Sequence, residues 1–302
     1  MAGHETISTH TEDQESAEQT PIAERLSQID LKEITPEDVE FMNGAIQDYM
    51  RENFQVPGEI IDQIPDHVKV LNQKEFAEVF EDGDNPNRPS LDNTPGFYRY
   101  QTNESYINAE VHQSPAHLFG TMFHESSHYA SINNGAGFSG NFLLPEGVLQ
   151  DQEAEDLAHS GYDCLKEGAT QAITKDSLED MGVSTDDIHG YEEDTSIVRH
   201  MFRNMPHENL HQRYFQDSTE QFRQEVEATI IADDTERMNF IKKREQTSTG
   251  GFAHALLILG AIKRDLIRAL ERGDKQAVDE IGVYIANSAK FYEGKRDQLD
   301  VW

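Results

Sequence analysis

The chain has one cysteine, Cys164, in 302 residues. A single thiol excludes an internal disulfide and any zinc cluster built from several cysteines. Basic residues are scarce as well. There are 25 Lys and Arg against 57 Asp and Glu, for a formal net charge of −32. Such a surface repels nucleic-acid phosphates and anionic lipid head groups, so no nucleic acid and no membrane is expected as a partner. The acid excess serves solubility, or it reflects a host that works at high salt. Long apolar runs are missing too. The longest, "FAHALLILGAI" at 252–262, is too short to cross a bilayer. The opening stretch "MAGHETISTHTEDQESAEQTPIAERL" lacks the apolar h-region of a classical signal peptide. The expected location is cytoplasmic, or outside the cell by an export route that needs no such signal.

What is present suffices for a folded chain. The apolar fraction is 36%, and a chain of this length can bury a substantial core. Residues 1–22 are polar and without apolar periodicity, which predicts a disordered acidic tail. Residues 23–148 mix helix and strand signals and form an expected upper lobe. Thr35-Pro36 reads as an N-cap with proline at the first helical position. "HVKVL" at 67–71 reads as a strand, "KEFAEVFED" as a helix, and "GFYRYQ" and "SYINAEV" as a hairpin. Residues 149–302 read as a helical lower lobe, with helices near 150–176, 190–204, 207–231, 250–272 and 275–293. Leu257, Ala261, Ile267 and Leu270 are expected on core faces. The two lobes together are expected to make one catalytic unit of α+β class.

Between the hairpin and the helical half stands "SPAHLFGTMFHESSHYASIN". Ser114-Pro115 caps a helix that carries His124, Glu125 and His128 as H-E-x-x-H. Residues four apart share a helix face, so both imidazoles can direct a ring nitrogen at one point. Zinc accepts imidazole nitrogen in that arrangement. Glu125 is offset around the helix. It is placed beside the metal, where it can take a proton from an attacking water and pass it to a leaving amine. A chance match to so short a motif is common enough that the setting matters, and the setting is a capped, amphipathic helix.

A catalytic zinc takes three protein ligands. Glu167 in "CLKEGATQAIT", Glu146 in "LLPEGVL" and His159 are the candidates for the third. Glu167 is preferred because a carboxylate on a second helix is held in place in advance. Gly168 beside it suggests a close helix approach at the metal site, since glycine inside a helix costs about 1 kcal/mol. Cys164, one turn earlier, is expected to be a buried small apolar residue.

His124-Glu125-x-x-His128 followed by Glu167-Gly168-x-Thr170 resembles the gluzincin metallopeptidases, among them thermolysin-like and aminopeptidase-N-like enzymes. The downstream stretch from Tyr191 to "LHQRYFQDSTEQF" is similar to the helical tail of small bacterial and phage-associated members. The resemblance covers about residues 96–225. It implies a zincin-like fold, with a small twisted sheet and the metal helix in the N-terminal lobe and a mostly helical C-terminal lobe. It implies Zn2+ held by His124, His128 and Glu167, with Glu125 as base. The implied activity is peptide-bond hydrolysis, endopeptidase rather than aminopeptidase, on a peptide or protein substrate. The oxyanion donor would be Tyr191 or His200, with Tyr214, His207 and His211 behind them. "SYINAEV" resembles the edge strand on which such enzymes lay an extended substrate. Where many relatives carry an acidic residue four after the third ligand, this chain has Gln171, whose amide oxygen is expected to accept from His124. A protease restricted to one protein target and a decayed zincin fold used for binding are the rival readings.

Overall fold

Local signals build the first lobe. Thr35 Oγ1 accepts from Asp38 N, while the Asp38 carboxylate accepts from Thr35 N, so both ends of a capping box are closed. The helix they start, α2 (Pro36–Asn53), buries Met42, Ile46 and Met50 along one stripe. The computed structural model describes residues 21–81, 94–99, 102–135, 152–201, 210–211, 214–215 and 249–282. Before α2 lies the short α1 (Ile22–Leu26); after it come α3 (Gly58–Asp62) and α4 (Ile64–His67). Strand β1 (Val68–Leu71), helix α5 (Gln73–Glu81) and strands β2 (Gly96–Arg99) and β3 (Glu104–Asn108) follow.

The three strands form one mixed sheet in the order β1-β3-β2. β2 and β3 pair antiparallel, as the hairpin signal predicts, with Gly96 opposite Ile107. β1 pairs parallel to β3, with Val68 opposite Ser105. β3 is therefore the central strand. The expectation that "SYINAEV" is a substrate edge is corrected here: both of its edges are spent on neighbours, and the aromatic, β-branched run that reads as a strand does so because it is buried. Among the described residues, β1 and β2 are the edges.

Helix α6 (Pro115–Asn133) lies under the sheet and packs on α2 and on α7 (Gln152–Asp180). Ser114 Oγ accepts from His117 N at 3.1 Å and starts it. Leu118, Phe119, Met122 and Phe123 are fully buried, and Phe123 meets Phe54 and Tyr49 edge-on. The described helical half consists of α7, α8 (Glu192–Met201), α9 (Thr249–Glu271) and a helical stretch at 275–282. The result is a small mixed sheet with helices, consistent with α+β. No described helix is long and apolar enough to cross a membrane. The tail up to residue 20, Glu146 and most of the expected helix at 207–231 lie outside the described residues.

The face that α9 buries differs from the expected one. Leu256, Leu259, Leu266 and Ala269 are buried, whereas Leu257, Ala261 and Ile267 are half-buried, Leu257 still packing against the core, and Leu270 is 46% exposed. The buried stripe runs one residue earlier because glycines set the crossing. A Cβ on Gly260 would overlap the Leu157 carbonyl of α7, and a Cβ on Gly161 would overlap the Leu256 carbonyl of α9. The two backbones touch there, and that contact fixes which side of α9 faces inward. Gly168 also marks a close helix approach, as expected, and its partner is α8. A Cβ there would meet the Asp194 backbone oxygen of α8 at 2.5 Å, not the metal helix. Cys164 is fully buried, as expected, and burial first and then Asp194 push its thiol well above the usual range.

Candidate metal centre

α6 turns His124 and His128 to one side and α7 brings Glu167 to meet them. The two imidazole Nε2 atoms are 3.1 Å apart, and Glu167 Oε2 is 3.2 Å from each. Among the described residues this buried group of three is where His, Cys, Asp or Glu donors come close enough to hold a metal ion.

The outer faces of the rings decide what the inner faces offer. His124 Nδ1 lies 3.0 Å from Gln171 Oε1. An amide oxygen only accepts, so Nδ1 carries the proton and Nε2 of the neutral ring is left with a lone pair. His128 Nδ1 faces hydroxyl oxygens of Thr170 and Tyr214. Glu167 Oε1 is paired with Lys166 Nζ at 2.9 Å, which leaves Oε2 to the histidines. Three acceptor atoms thus converge on one point in a buried site. That arrangement is repulsive unless a proton or a cation sits among them, and a cation satisfies all three at once. The residues present fit a metal ion.

Burial pushes the Glu167 carboxyl up, but His128, Lys166 and the imidazole contacts together outweigh it and hold it well below the usual carboxylate range. Burial lowers His128. For His124 burial also acts downward, yet Glu167 and Glu125 prevail and raise it.

Glu125 is buried next to the group without belonging to it. Its Oε2 accepts from Ser105 Oγ of β3 at 3.2 Å. It faces a cleft of about 480 Å3 whose lining includes Gly96, Thr121, His124, Gln171, Ile188 and Tyr191. The segment before α8 lines one side of this cleft. Gly120 of α6 leaves room for Ile188, whose Cδ1 would lie 2.8 Å from a Cβ there. Gly190 at φ 130° and Tyr191 at φ 58° then turn the chain back over the site. A left-handed backbone is uncommon for tyrosine and is a mark of functional segments. The Tyr191 ring stacks on His124, with centroids 5.7 Å apart and planes 10° apart. The charge of Glu167, then burial and then Glu125 push its hydroxyl well above the usual phenol range, so it remains a protonated donor.

Of the other sequence candidates, those among the described residues are not brought to this point. His159 is exposed on α7, eight residues and so about 12 Å of helix rise before Glu167. His211 packs edge-on against Phe54, with centroids 5.0 Å apart. His200 lies in the last turn of α8, and its side chain, like His207, is outside the described residues. Tyr214 is fully buried behind His128 rather than in the cleft. Sequence reasoning gave no role to Ser105, Lys166 or Thr170. Only Thr170, three residues after Glu167 and so on its face, carried a signal that could have been used.

Gln171 stands where the spacing placed it, one turn after Glu167 and hydrogen-bonded to His124. Gln171→Leu is expected to weaken metal binding by about 10–100-fold, because His124 then loses the acceptor that fixes its tautomer. Gln171→Glu is expected to bind at least as tightly as the unaltered chain. Metal titration of the two variants checks both outcomes.

The chain was compared with protein-family models, with curated proteins and with solved structures, and none matches.

Proposed function

We propose that the chain is a zinc metallopeptidase, with His124, His128 and Glu167 as ligands and Glu125 as the general base. The observation that carries this reading is the convergence of two imidazole lone pairs and one carboxylate oxygen, 3.1–3.2 Å apart, beside an unligated carboxylate. Four donors placed tetrahedrally at about 2.0–2.1 Å from zinc lie about 3.3–3.4 Å from one another, so the observed spacing suits that ion. Two histidines and one carboxylate form a ligand set typical of hydrolytic zinc. The bound ion would supply Lewis acidity, making water acidic and polarising a carbonyl.

The protein's own groups do the rest. Glu125, held by Ser105, takes a proton from the attacking water and delivers it to the leaving amine. Tyr191 reaches over the cleft as a hydroxyl donor to the oxygen of the attacked carbonyl, where negative charge develops. The substrate is a peptide or protein segment. The cleft runs from Gly96 on the β2 edge to Tyr191, which suits an extended chain. The Ser105 contact to Glu125 speaks for a working enzyme over a decayed binding fold, since a binding module has no need of an oriented base.

Elemental analysis of the purified full-length chain should find one zinc per molecule, and chelator-sensitive cleavage of unfolded proteins should accompany it. Glu167→Ala should lose the zinc. Full zinc content in that variant would remove Glu167 from the ligand set, and failure to cut any unfolded substrate would sink the general-peptidase reading.

A further inference from the structure

His124 leans on an amide, whereas His128 leans on two hydroxyls. His128 Nδ1 lies 3.3 Å from the Tyr214 hydroxyl and 3.5 Å from Thr170 Oγ1. The two hydroxyl oxygens are 2.6 Å apart. Thr170 Oγ1 is also 2.7 Å from the Lys166 carbonyl oxygen, one helical turn back.

The directions of these bonds follow from counting protons. A carbonyl only accepts, so the Thr170 hydroxyl proton goes to Lys166. Thr170 Oγ1 can then only accept from Tyr214, and the Tyr214 proton is spent on it. The Tyr214 oxygen is left with lone pairs, and the proton between it and His128 must come from Nδ1. We infer that Tyr214 and Thr170 are positioning residues: their hydroxyl relay holds His128 in the Nδ1–H tautomer and so turns the Nε2 lone pair toward His124 and Glu167. This inference rests on the metal-centre reading for its purpose, though not for its geometry.

The relay is built to stay in place. Tyr214 is fully buried. Its backbone carbonyl accepts from Ser131 Oγ at 2.7 Å, and the next carbonyl, of Phe215, accepts from the Asn134 amide at 2.5 Å. The Phe215 ring stacks on Phe54 with centroids 4.4 Å apart. The tyrosine is thereby pinned to the last turn of the helix that carries His128, while Thr170 arrives from the helix that carries Glu167. This geometry also removes Tyr214 from the oxyanion candidates. Its proton is committed to Thr170, and it touches the side of the His128 ring opposite Nε2.

The test uses the full-length chain. Tyr214→Phe deletes one oxygen and keeps the packed ring. Thr170→Val removes the hydroxyl at nearly constant shape, and Thr170→Ser restores it. Zinc affinity, measured by competition with a chromophoric chelator, should fall about 10–100-fold in Tyr214→Phe and Thr170→Val and return toward the original value in Thr170→Ser. In the metal-free protein, histidine 15N NMR should show His128 protonated at Nδ1 and should lose that pattern in Tyr214→Phe. If the unaltered chain binds zinc and Tyr214→Phe binds it equally tightly, the relay is overturned while the metal reading stands. If the unaltered chain takes up no zinc, the peptidase reading falls and the NMR pattern decides the relay alone. An Nδ1–H signal that depends on Tyr214 supports it, and one that does not overturns it.

Discussion

Glu125→Gln is expected, on the proposed reading, to cut peptide hydrolysis by about 10²–10⁴-fold while zinc content and melting temperature stay at the values of the unaltered chain. The substitution is nearly isosteric. The amide oxygen can still accept from Ser105 Oγ, now 3.2 Å from the carboxylate, so the side chain should keep its place. It loses only the capacity to take up a proton. Glu125 is not one of the three converging donors, so the metal should be indifferent to the change. Turnover of an unfolded substrate by metal-matched samples is the measurement. A variant that retains most of its activity would show that another group is the base. A variant that loses its zinc would make Glu125 a ligand and dismantle the assignment of roles.

Gly260→Ala is expected to be the most damaging single-methyl change among the described glycines. The added carbon would occupy the space of the Leu157 carbonyl oxygen. A backbone atom cannot swing aside as a side-chain tip can, so α9 would have to move off α7. Overpacking of this kind costs about 1–3 kcal/mol and occasionally more, and here the upper end applies, a fall in melting temperature on the order of 5 °C. Gly44→Ala in α2 is the internal control. A Cβ there meets nothing within 4 Å, and alanine is the better helix former by about 1 kcal/mol, so that variant should melt at or above the original temperature. Equal melting curves for the two variants would contradict the close crossing of α7 and α9.

The core of the candidate site was legible because it depends on short-range helix geometry. His124 and His128 are one turn apart on α6, and Glu167 and Gln171 are one turn apart on α7. Once both segments are taken as helices, the spacing alone places each pair on one face. Which carboxylate would meet the histidines was less determined, since Glu146 and Glu167 both follow plausible signals and only the packing of α7 on α6 brings Glu167 in. Contacts between distant segments left no trace at all. Nothing in "SYINAEV" says that Ser105 faces Glu125 from a central strand, and 86 residues separate His128 from Tyr214. The α9 face was misjudged for another reason. "FAHALLILG" is apolar on nearly every side, so periodicity cannot choose a face, and the choice is made by two glycines on different helices.

The two helices that carry the candidate ligands have a consequence for stability. α6 is embedded under the sheet and α7 is clamped by α9, and the segment between them is long. On the proposed reading, a shared ion is a removable cross-link between the two halves of the molecule. Any ion that binds the folded chain alone adds stability in proportion to the logarithm of its free concentration, about 2.7 kcal/mol at a hundred times its dissociation constant. The firmness of the fold would then follow metal supply, so that the same polypeptide is robust where zinc is plentiful and easily opened where it is withheld.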